Sequence, residues 1–196
     1  MAQFNSFVRI PLLALRQRLR PLPAMSMLAP ETLSMRVWPS DIDFNLHMNN
    51  SRYLLRMDYG RIHLIASTGM MELAMRRRWQ PLIGSVFITY RRSLRLWQPF
   101  TLTSRNLCWD EKWVYTEQTF TSAAGLAAVA WVKGLFREAG SSGRNIAPQQ
   151  IVDQLEPGLV SPPVPPALAE WNELTRGKLT GTAAADPGRG AATAGN

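Results

Sequence analysis

The sequence predicts an α+β domain in which one long helix lies on one face of an antiparallel sheet of about five strands. Three observations carry that expectation. Residues 34–39 alternate in polarity and then meet Pro39, as a strand running into a loop does. Residues 51–69 place apolar side chains at helical spacing. Between residues 83 and 137, four strand-like stretches follow one another with turn signals between most of them.

Each element has its own local reason. Ser34-Met-Arg-Val-Trp-Pro39 is followed by a loop over 40–48. Asn49 or Asn50 is a good N-cap for the helix, since a short amide side chain can accept from the first free N–H groups. Beyond it, Leu54, Met57, Leu64, Ile65 and Thr68 form the apolar stripe, Arg52, Arg56, Asp58 and Arg61 are interspersed, and Gly69 closes the pattern. Gly60 sits on or beside the stripe, where glycine costs about 1 kcal/mol of helix propensity. Close approach of the helix to the sheet explains it. Residues 70–78 predict a short second helix. The strands are expected over 83–94, 100–108, 113–122 and 126–137, with Asp110-Glu-Lys and Ala123-Ala-Gly as turns. Thr101, Thr103 and Arg105 alternate with Leu102, Ser104 and Asn106, the pattern of a half-buried strand.

Composition sets the outer organisation. A chain of 196 residues, 46% of them hydrophobic, suits one core with tails. The expected division is a basic N-terminal arm over 1–30, the folded domain over 31–155, and a proline-rich segment with a disordered tail over 156–196. In the arm, Arg9 and Pro11 break the apolar run over 4–20 well short of the roughly 20 residues a membrane span needs. As a basic amphipathic segment, residues 1–20 can make peripheral contact with a membrane surface. Arg16, Arg18 and Arg20 follow the apolar stretch, which is not the order of a secretory leader. Pro157, Pro162, Pro163, Pro165 and Pro166 disfavour a helix interior, so only a short helical piece is expected near 167–174. From Gly177 the residues are small and polar.

Charge and cysteine usage exclude several classes. Lys and Arg number 22 against 14 Asp and Glu, a net of +8, which favours anionic partners. No zinc finger, RNP-like strand or lysine tract supports nucleic acid. The single cysteine, Cys108, allows no intrachain disulfide and no cysteine zinc site, and it favours a reducing, cytoplasmic compartment. With His47 and His63 as its two histidines, the chain has no histidine-rich metal centre.

The stretch with the densest chemistry is Asp41-Ile-Asp-Phe-Asn-Leu-His-Met-Asn-Asn50. Taken alone, its aspartates suit a turn, because their carboxylates accept local backbone hydrogen bonds. Yet the string Asp41-x-Asp43-x-x-x-His47-x-Asn49-Asn50-x-x-Tyr53 gathers carboxylates, an imidazole and two amides at the start of a helix. A carboxylate there can serve as nucleophile or general base. A helix N-terminus adds free N–H donors and partial positive charge.

This string resembles the signature of the 4-hydroxybenzoyl-CoA thioesterase-like hotdog family, in which an Asp-x-Asp pair leads through a Gly-His-Val-Asn-Asn-type loop to a Tyr on the central helix. The similarity continues through Asn49-Asn-Ser-Arg-Tyr-Leu-Leu-Arg-Met-Asp-Tyr-Gly-Arg61 and Tyr90-Arg-Arg-Ser-Leu-Arg-Leu-Trp-Gln-Pro-Phe100, and spans residues 35–136. Within the family it is nearest the branch of thioesterase superfamily member six. The resemblance implies a hotdog fold and hydrolysis of an acyl-CoA thioester to free acid and CoA. It implies Asp43 as the catalytic carboxylate, and the backbone amide of Asn50 as the group that polarises the thioester carbonyl. His47 would contact substrate or order the loop. Asn49 and Tyr53 fall in the substrate-binding region, though capping or bracing Asp43 suits Asn49 and core packing suits Tyr53. Arg91, Arg92 and Arg95 are candidates for the CoA phosphates, with Arg76, Arg77 and Arg78 behind them. No metal or redox cofactor is implied, because water completes the reaction. The resemblance also implies a homodimer or higher homo-oligomer, in which two protomers pair into one continuous sheet with the acyl pocket between subunits.

One position departs from the pattern. Leu46 stands where the family commonly has glycine, and a β-carbon restricts the backbone there. An acyl-CoA-binding hotdog protein without turnover is therefore the alternative reading.

Overall fold

The computed structural model describes residues 25–140 and 143–181, with side chains as far as Arg176. It divides into two compact units, one ending at Pro162 and one beginning at Pro163. The first contains β1 (Glu31–Arg36), a 3-10 turn (Pro39–Asp41), α1 (Asn50–Ser67), α2 (Met70–Arg77), β2 (Trp79–Tyr90), β3 (Pro99–Trp109), β4 (Val114–Ser122), β5 (Gly125–Glu138), β6 (Asn145–Ile146) and α3 (Pro148–Leu155). The second carries α4 (Pro166–Gly181).

The sheet order is β1-β3-β4-β5-β2, antiparallel throughout, and β6 pairs with β5. The long helix covers one face, as expected. Its buried residues Tyr53, Met57, Gly60, Arg61 and Leu64 recur at three- and four-residue intervals, the spacing of one helical face. Opposite them, β3 presents buried Phe100, Leu102, Ser104, Asn106 and Cys108 at every second position. Tyr53, Met57, Phe100, Leu102 and Phe120 share one core cluster. A second cluster gathers Met70, Leu73, Ile151 and Val152 beyond the C-terminal end of α1.

Gly60 is where helix and sheet come closest. A β-carbon there would stand 2.7 Å from Leu102 Cδ2, 2.8 Å from Ser104 Oγ and 3.0 Å from Gln118 Nε2. Gln118 cannot swing aside cheaply, because its Nε2 donates to Met57 O and Ser104 Oγ, both at 2.9 Å. Gly60→Ala is expected to lower stability by about 1–3 kcal/mol through overpacking. Denaturant unfolding at unchanged slope measures it.

Several boundaries differ from the sequence expectation. β1 begins at Glu31, not 34, and ends at Arg36, opposite Pro99, where its partner strand β3 begins. β2 begins at Trp79, not 83, and includes Pro81. It is an edge strand whose sole neighbour is β5, so the missing N–H of Pro81 breaks no ladder on the open side. β2 also stops at Tyr90, not 94, where the N–H groups of Arg91 and Arg92 both turn to Ala127 O, at 2.8 and 3.0 Å. α4 runs past Gly177 to Gly181, longer than the piece expected at 167–174 and reaching into the stretch read as disordered tail. The expectations for residues 1–24, including membrane contact through the arm, and for 182–196 lie outside the described residues. Among the described residues no helix is long and apolar enough to cross a membrane.

Candidate functional site

The loop between β1 and α1 is folded by its two aspartates in different ways. Asp41 is buried, and its Oδ2 accepts from Trp38 N at 2.9 Å and from Arg56 Nη2 at 2.6 Å. It ties the strand exit to the helix and is a scaffold residue. Ile42 then bridges to Met48, and His47 to Arg95, which closes residues 42–48 into a small hairpin. Within it, Asp43 N donates to His47 O at 3.1 Å and Leu46 N donates to Asp43 O at 3.0 Å.

Leu46 occupies the left-handed region, with φ of 59°. For a residue with a β-carbon this costs about 1–2 kcal/mol. The loop thus keeps the conformation that a glycine would adopt freely, and the leucine side chain is directed into solvent, 77% exposed.

The Asp43 carboxylate is largely sheltered, with 14% of its side chain exposed. Its Oδ1 accepts from Asn45 N at 2.9 Å, the local turn bond that aspartate favours, and its Oδ2 accepts from Asn49 Nδ2 at 3.3 Å. A carboxylate has about four acceptor positions, so these two bonds leave capacity on both oxygens. His47 Nδ1 lies 3.8 Å from Asp43 Oδ1, outside hydrogen-bond range but close enough for an ion pair once the ring is protonated.

Asn49 connects that carboxylate to the helix. It is the N-cap, and its Oδ1 accepts from Ser51 N at 2.9 Å and Ser51 Oγ at 2.7 Å while its Nδ2 reaches Asp43. Both polar ends of Asn49 are thus engaged in capping and bracing. Asn50 is the first helical residue, so its N–H has no acceptor within the helix. The cap leaves that amide alone, because it takes the N–H one residue further on. The Asn50 carbonyl is held from the other side by Tyr90 Oη, which donates to it at 3.3 Å.

Tyr53 is 2% exposed and packs edge-on against Tyr90 and Phe120, with ring centroids 5.1 and 4.9 Å away. Burial pushes its phenol up to about 12, so the ring stays protonated and apolar in character. Its place is in the protomer core beneath the site. Arg95 is brought beside His47 by the backbone bridge, and its N–H donates to Gln98 Oε1 at 2.8 Å. Arg91 and Arg92 sit at the exit from β2, and all three arginines are exposed. Cys108 is fully buried, and burial raises its thiol to about 11, which leaves it inert as a nucleophile. Among the described residues no cluster of His, Cys, Asp or Glu could hold a metal ion.

A second feature escaped the sequence reading, which took Arg61 as one of the polar residues interspersed along the helix. Arg61 is buried, and its Nη1 donates to Gln118 Oε1 at 2.6 Å while Nη2 meets Asp58 Oδ1. Desolvation pulls its guanidinium below the ordinary value. Beside it, a cavity of about 270 Å³ lies between the C-terminal half of α1 and the strands β2, β4 and β5. Ile62, Leu64, Ile65, Leu82, Val132 and Leu135 make its wall mostly apolar. Inward-facing polar residues at Ser104, Asn106, Thr116 and Gln118 are the signal in the sequence that an ion pair or polar group lies under the helix.

Known proteins share the family and the fold of this chain. A family model described as the thioesterase-like superfamily matches residues 37–172. The chain is 38% identical to Protein THEM6 of Xenopus laevis over 116 residues, which is 59% of this chain and 56% of that protein. It is 32% identical to a probable thioesterase, YBR096W, of Saccharomyces cerevisiae over 89 residues, 44% of this chain and 38% of that one. It thus spans about half the length of the curated relatives it matches first. Among solved structures, the probable thioesterase YbaW of Escherichia coli superposes with a TM-score of 0.59 at 19% identity, covering 66% of this chain and 98% of that one. A 4-hydroxybenzoyl CoA thioesterase mutant complexed with 4-hydroxybenzoyl CoA superposes at 0.57 and 15% identity, covering 65% and 99%. These neighbours share the hotdog fold, an antiparallel sheet wrapped on a central helix. On the match over residues 37–172 and the fold that carries it, the chain belongs to the thioesterase-like superfamily.

Proposed function

We propose that this protein hydrolyses an acyl-CoA thioester to the free acid and CoA. The observation that carries the reading is the shared side chain of Asn49, which braces the Asp43 carboxylate with one end and caps α1 with the other. A nucleophile or base and an oxyanion donor at Asn50 are thereby fixed in one loop. In the nucleophilic route, an Asp43 oxygen attacks the thioester carbon, the C–S bond breaks, CoA leaves as thiolate, and water then cleaves the anhydride. In the general-base route, Asp43 takes a proton from water, whose oxygen attacks the same carbon, and the C–S bond then breaks to release CoA as thiolate and the free acid. Both routes place negative charge on the carbonyl oxygen, where the Asn50 amide donates. His47 borders the carboxylate, and Arg95, Arg91 and Arg92 offer guanidinium groups to the CoA phosphates.

The open edge of β2 supports pairing of two copies. Leu82, Ile83, Val86, Phe87 and Tyr90 are all exposed along it, an arrangement that an isolated protomer would be expected to protect. Antiparallel pairing of two β2 edges sets the Leu82 end of one strand beside the Tyr90 end of the other. The apolar cavity of one protomer, beside Leu82, would then face the start of α1 in its partner, which Tyr90 holds at Asn50, and receive the acyl group between subunits. The buried, single cysteine suits a reducing, cytoplasmic setting.

A second reading is acyl-CoA binding without turnover, favoured by the strained Leu46 backbone and by the local turn bond on Asp43 Oδ1. A panel of short, long and aromatic acyl-CoAs, assayed for release of free CoA thiol, separates the two. Saturable hydrolysis of any member is the expected result. Saturable binding with no thiol release would establish the second reading instead.

A further inference from the structure

The face around the Asp43 loop carries a cluster of exposed aromatic and aliphatic side chains that neither the fold nor the proposed chemistry uses. Phe44 is 91% exposed and Leu46 77%, the two most exposed large apolar residues among those described. Trp38, Leu96 and Trp97 are also exposed. They are neighbours in space. The His47 to Arg95 bridge sets Leu46 beside Leu96 along the paired strands, Trp97 N donates to Val37 O at 3.0 Å, and the rings of Trp38 and Trp97 meet edge to face at 5.3 Å.

The backbone holds two of them out at a cost. Of the three non-glycine residues with positive φ among those described, two are Leu46, at 59°, and Trp97, at 61°. Arg36 Nη1 locks the second turn by donating to Trp97 O at 2.7 Å. Strain of this kind persists where a surrounding structure imposes it, and packing does not explain it for side chains in water. The charge around the cluster is predominantly positive. Residues 36–56 and 90–99 contain Arg36, Arg52, Arg56, Arg91, Arg92 and Arg95 against Asp41 and Asp43, and Asp41 is buried in an ion pair with Arg56.

We infer that this face docks on an anionic lipid bilayer, with Trp38, Phe44, Leu46, Leu96 and Trp97 entering the headgroup boundary and the arginines meeting lipid phosphates and carboxylates. Tryptophan and phenylalanine ringed by arginine is the composition of an interfacial surface. A second copy of the chain fits less well, because a two-fold contact through this face would set the same arginines against one another. The inference is independent of turnover at Asp43. It orients the loop toward the membrane, where an amphiphilic acyl-CoA partitions.

The test is flotation of the full chain with vesicles of phosphatidylcholine, with and without phosphatidylserine, at low and high salt. Binding to the phosphatidylserine vesicles that weakens with salt is expected. In Phe44→Asn/Trp97→Asn, whose asparagine tolerates positive φ, vesicle affinity is expected to fall about tenfold or more. Brominated lipid should quench wild-type tryptophan fluorescence, and Trp38→Phe and Trp97→Phe should each remove part of that quenching, which keeps the inference testable if the double variant misfolds. Wild-type flotation by the double variant would overturn the inference and assign binding to the segment over 1–24. Failure of the wild-type chain to bind would overturn it, as would quenching that Trp38→Phe and Trp97→Phe leave intact. A double variant that changes the sedimentation of the free chain but not its flotation would make the face a contact between copies instead.

Discussion

Asp43→Asn is expected to abolish measurable acyl-CoA hydrolysis, with a fall of about a thousandfold or more in kcat, while leaving the fold intact. The substitution keeps the shape of the side chain. Its Oδ1 can still accept from Asn45 N, so the local turn bond at 2.9 Å survives. What changes on the other branch is the long bond at 3.3 Å from Asn49 Nδ2, whose loss costs about 1 kcal/mol or less. Stability should therefore move little. Chemistry loses its anionic oxygen altogether, since an amide neither attacks a thioester nor accepts a proton from water at neutral pH. The size of the loss separates the two routes: a general base contributes about 10²–10⁴, whereas deleting the nucleophile of a covalent mechanism costs on the order of 10⁶. Steady-state release of CoA thiol, beside a thermal melt of the same preparation, measures both quantities. Hydrolysis at the wild-type rate by a folded Asp43→Asn would refute the assignment.

The parts of the fold that were legible in the sequence are those governed by neighbours along the chain. Met57, Leu64 and Thr68 of the apolar stripe, a cap at Asn49 or Asn50, and the alternation from Phe100 to Cys108 all depend on residues a few positions apart, whereas Leu54, placed on the same stripe, is exposed and Tyr53 beside it is buried instead. Gly60 was legible because a glycine on a buried helical stripe signals that something packs too close for a β-carbon, and the near contact with Leu102 is that something. The misjudged features depend on partners far away. The strand expected from 83 begins at Trp79 and takes in Pro81, which an edge position allows. Arg61 reads as a surface residue until Gln118, 57 positions on, reaches it from β4. Asp41 and Asp43 are indistinguishable by type and spacing, and burial with bonds from Trp38 N and Arg56 marks the first as scaffold. The site itself was compact in sequence, since Asp43, His47, Asn49 and Asn50 lie in one short loop. The roles proposed for them, however, came from a family resemblance and not from composition, which made the same string an ordinary turn. The approach of Arg95 to His47 required the tertiary bridge.

Asn50→Pro is the sharper test of the helix terminus, because it deletes one hydrogen-bond donor and little else. Proline is well accepted at the first position of a helix, where its fixed φ suits the backbone and its missing N–H breaks no helical bond. Proline also restricts the residue before it, and Asn49, at φ −62° and ψ 141°, already sits in the extended region that proline requires. The Asn49 cap to Ser51 N and the Tyr90 bond to Asn50 O involve other atoms and should persist. If the Asn50 amide stabilises the oxyanion, its removal should lower kcat by about 10²–10³, the loss seen when one such donor is deleted. KM should change far less, because the developing charge exists in the transition state and not in the bound thioester. Asn50→Ala supplies the contrast: it deletes the exposed side chain but keeps the amide, and is expected to turn over near the wild-type rate. An Ala variant as impaired as the Pro variant would shift the role to the side chain. Two variants of equal, wild-type activity would mean that the carbonyl is polarised elsewhere and that α1 serves only to hold Asn49 against Asp43.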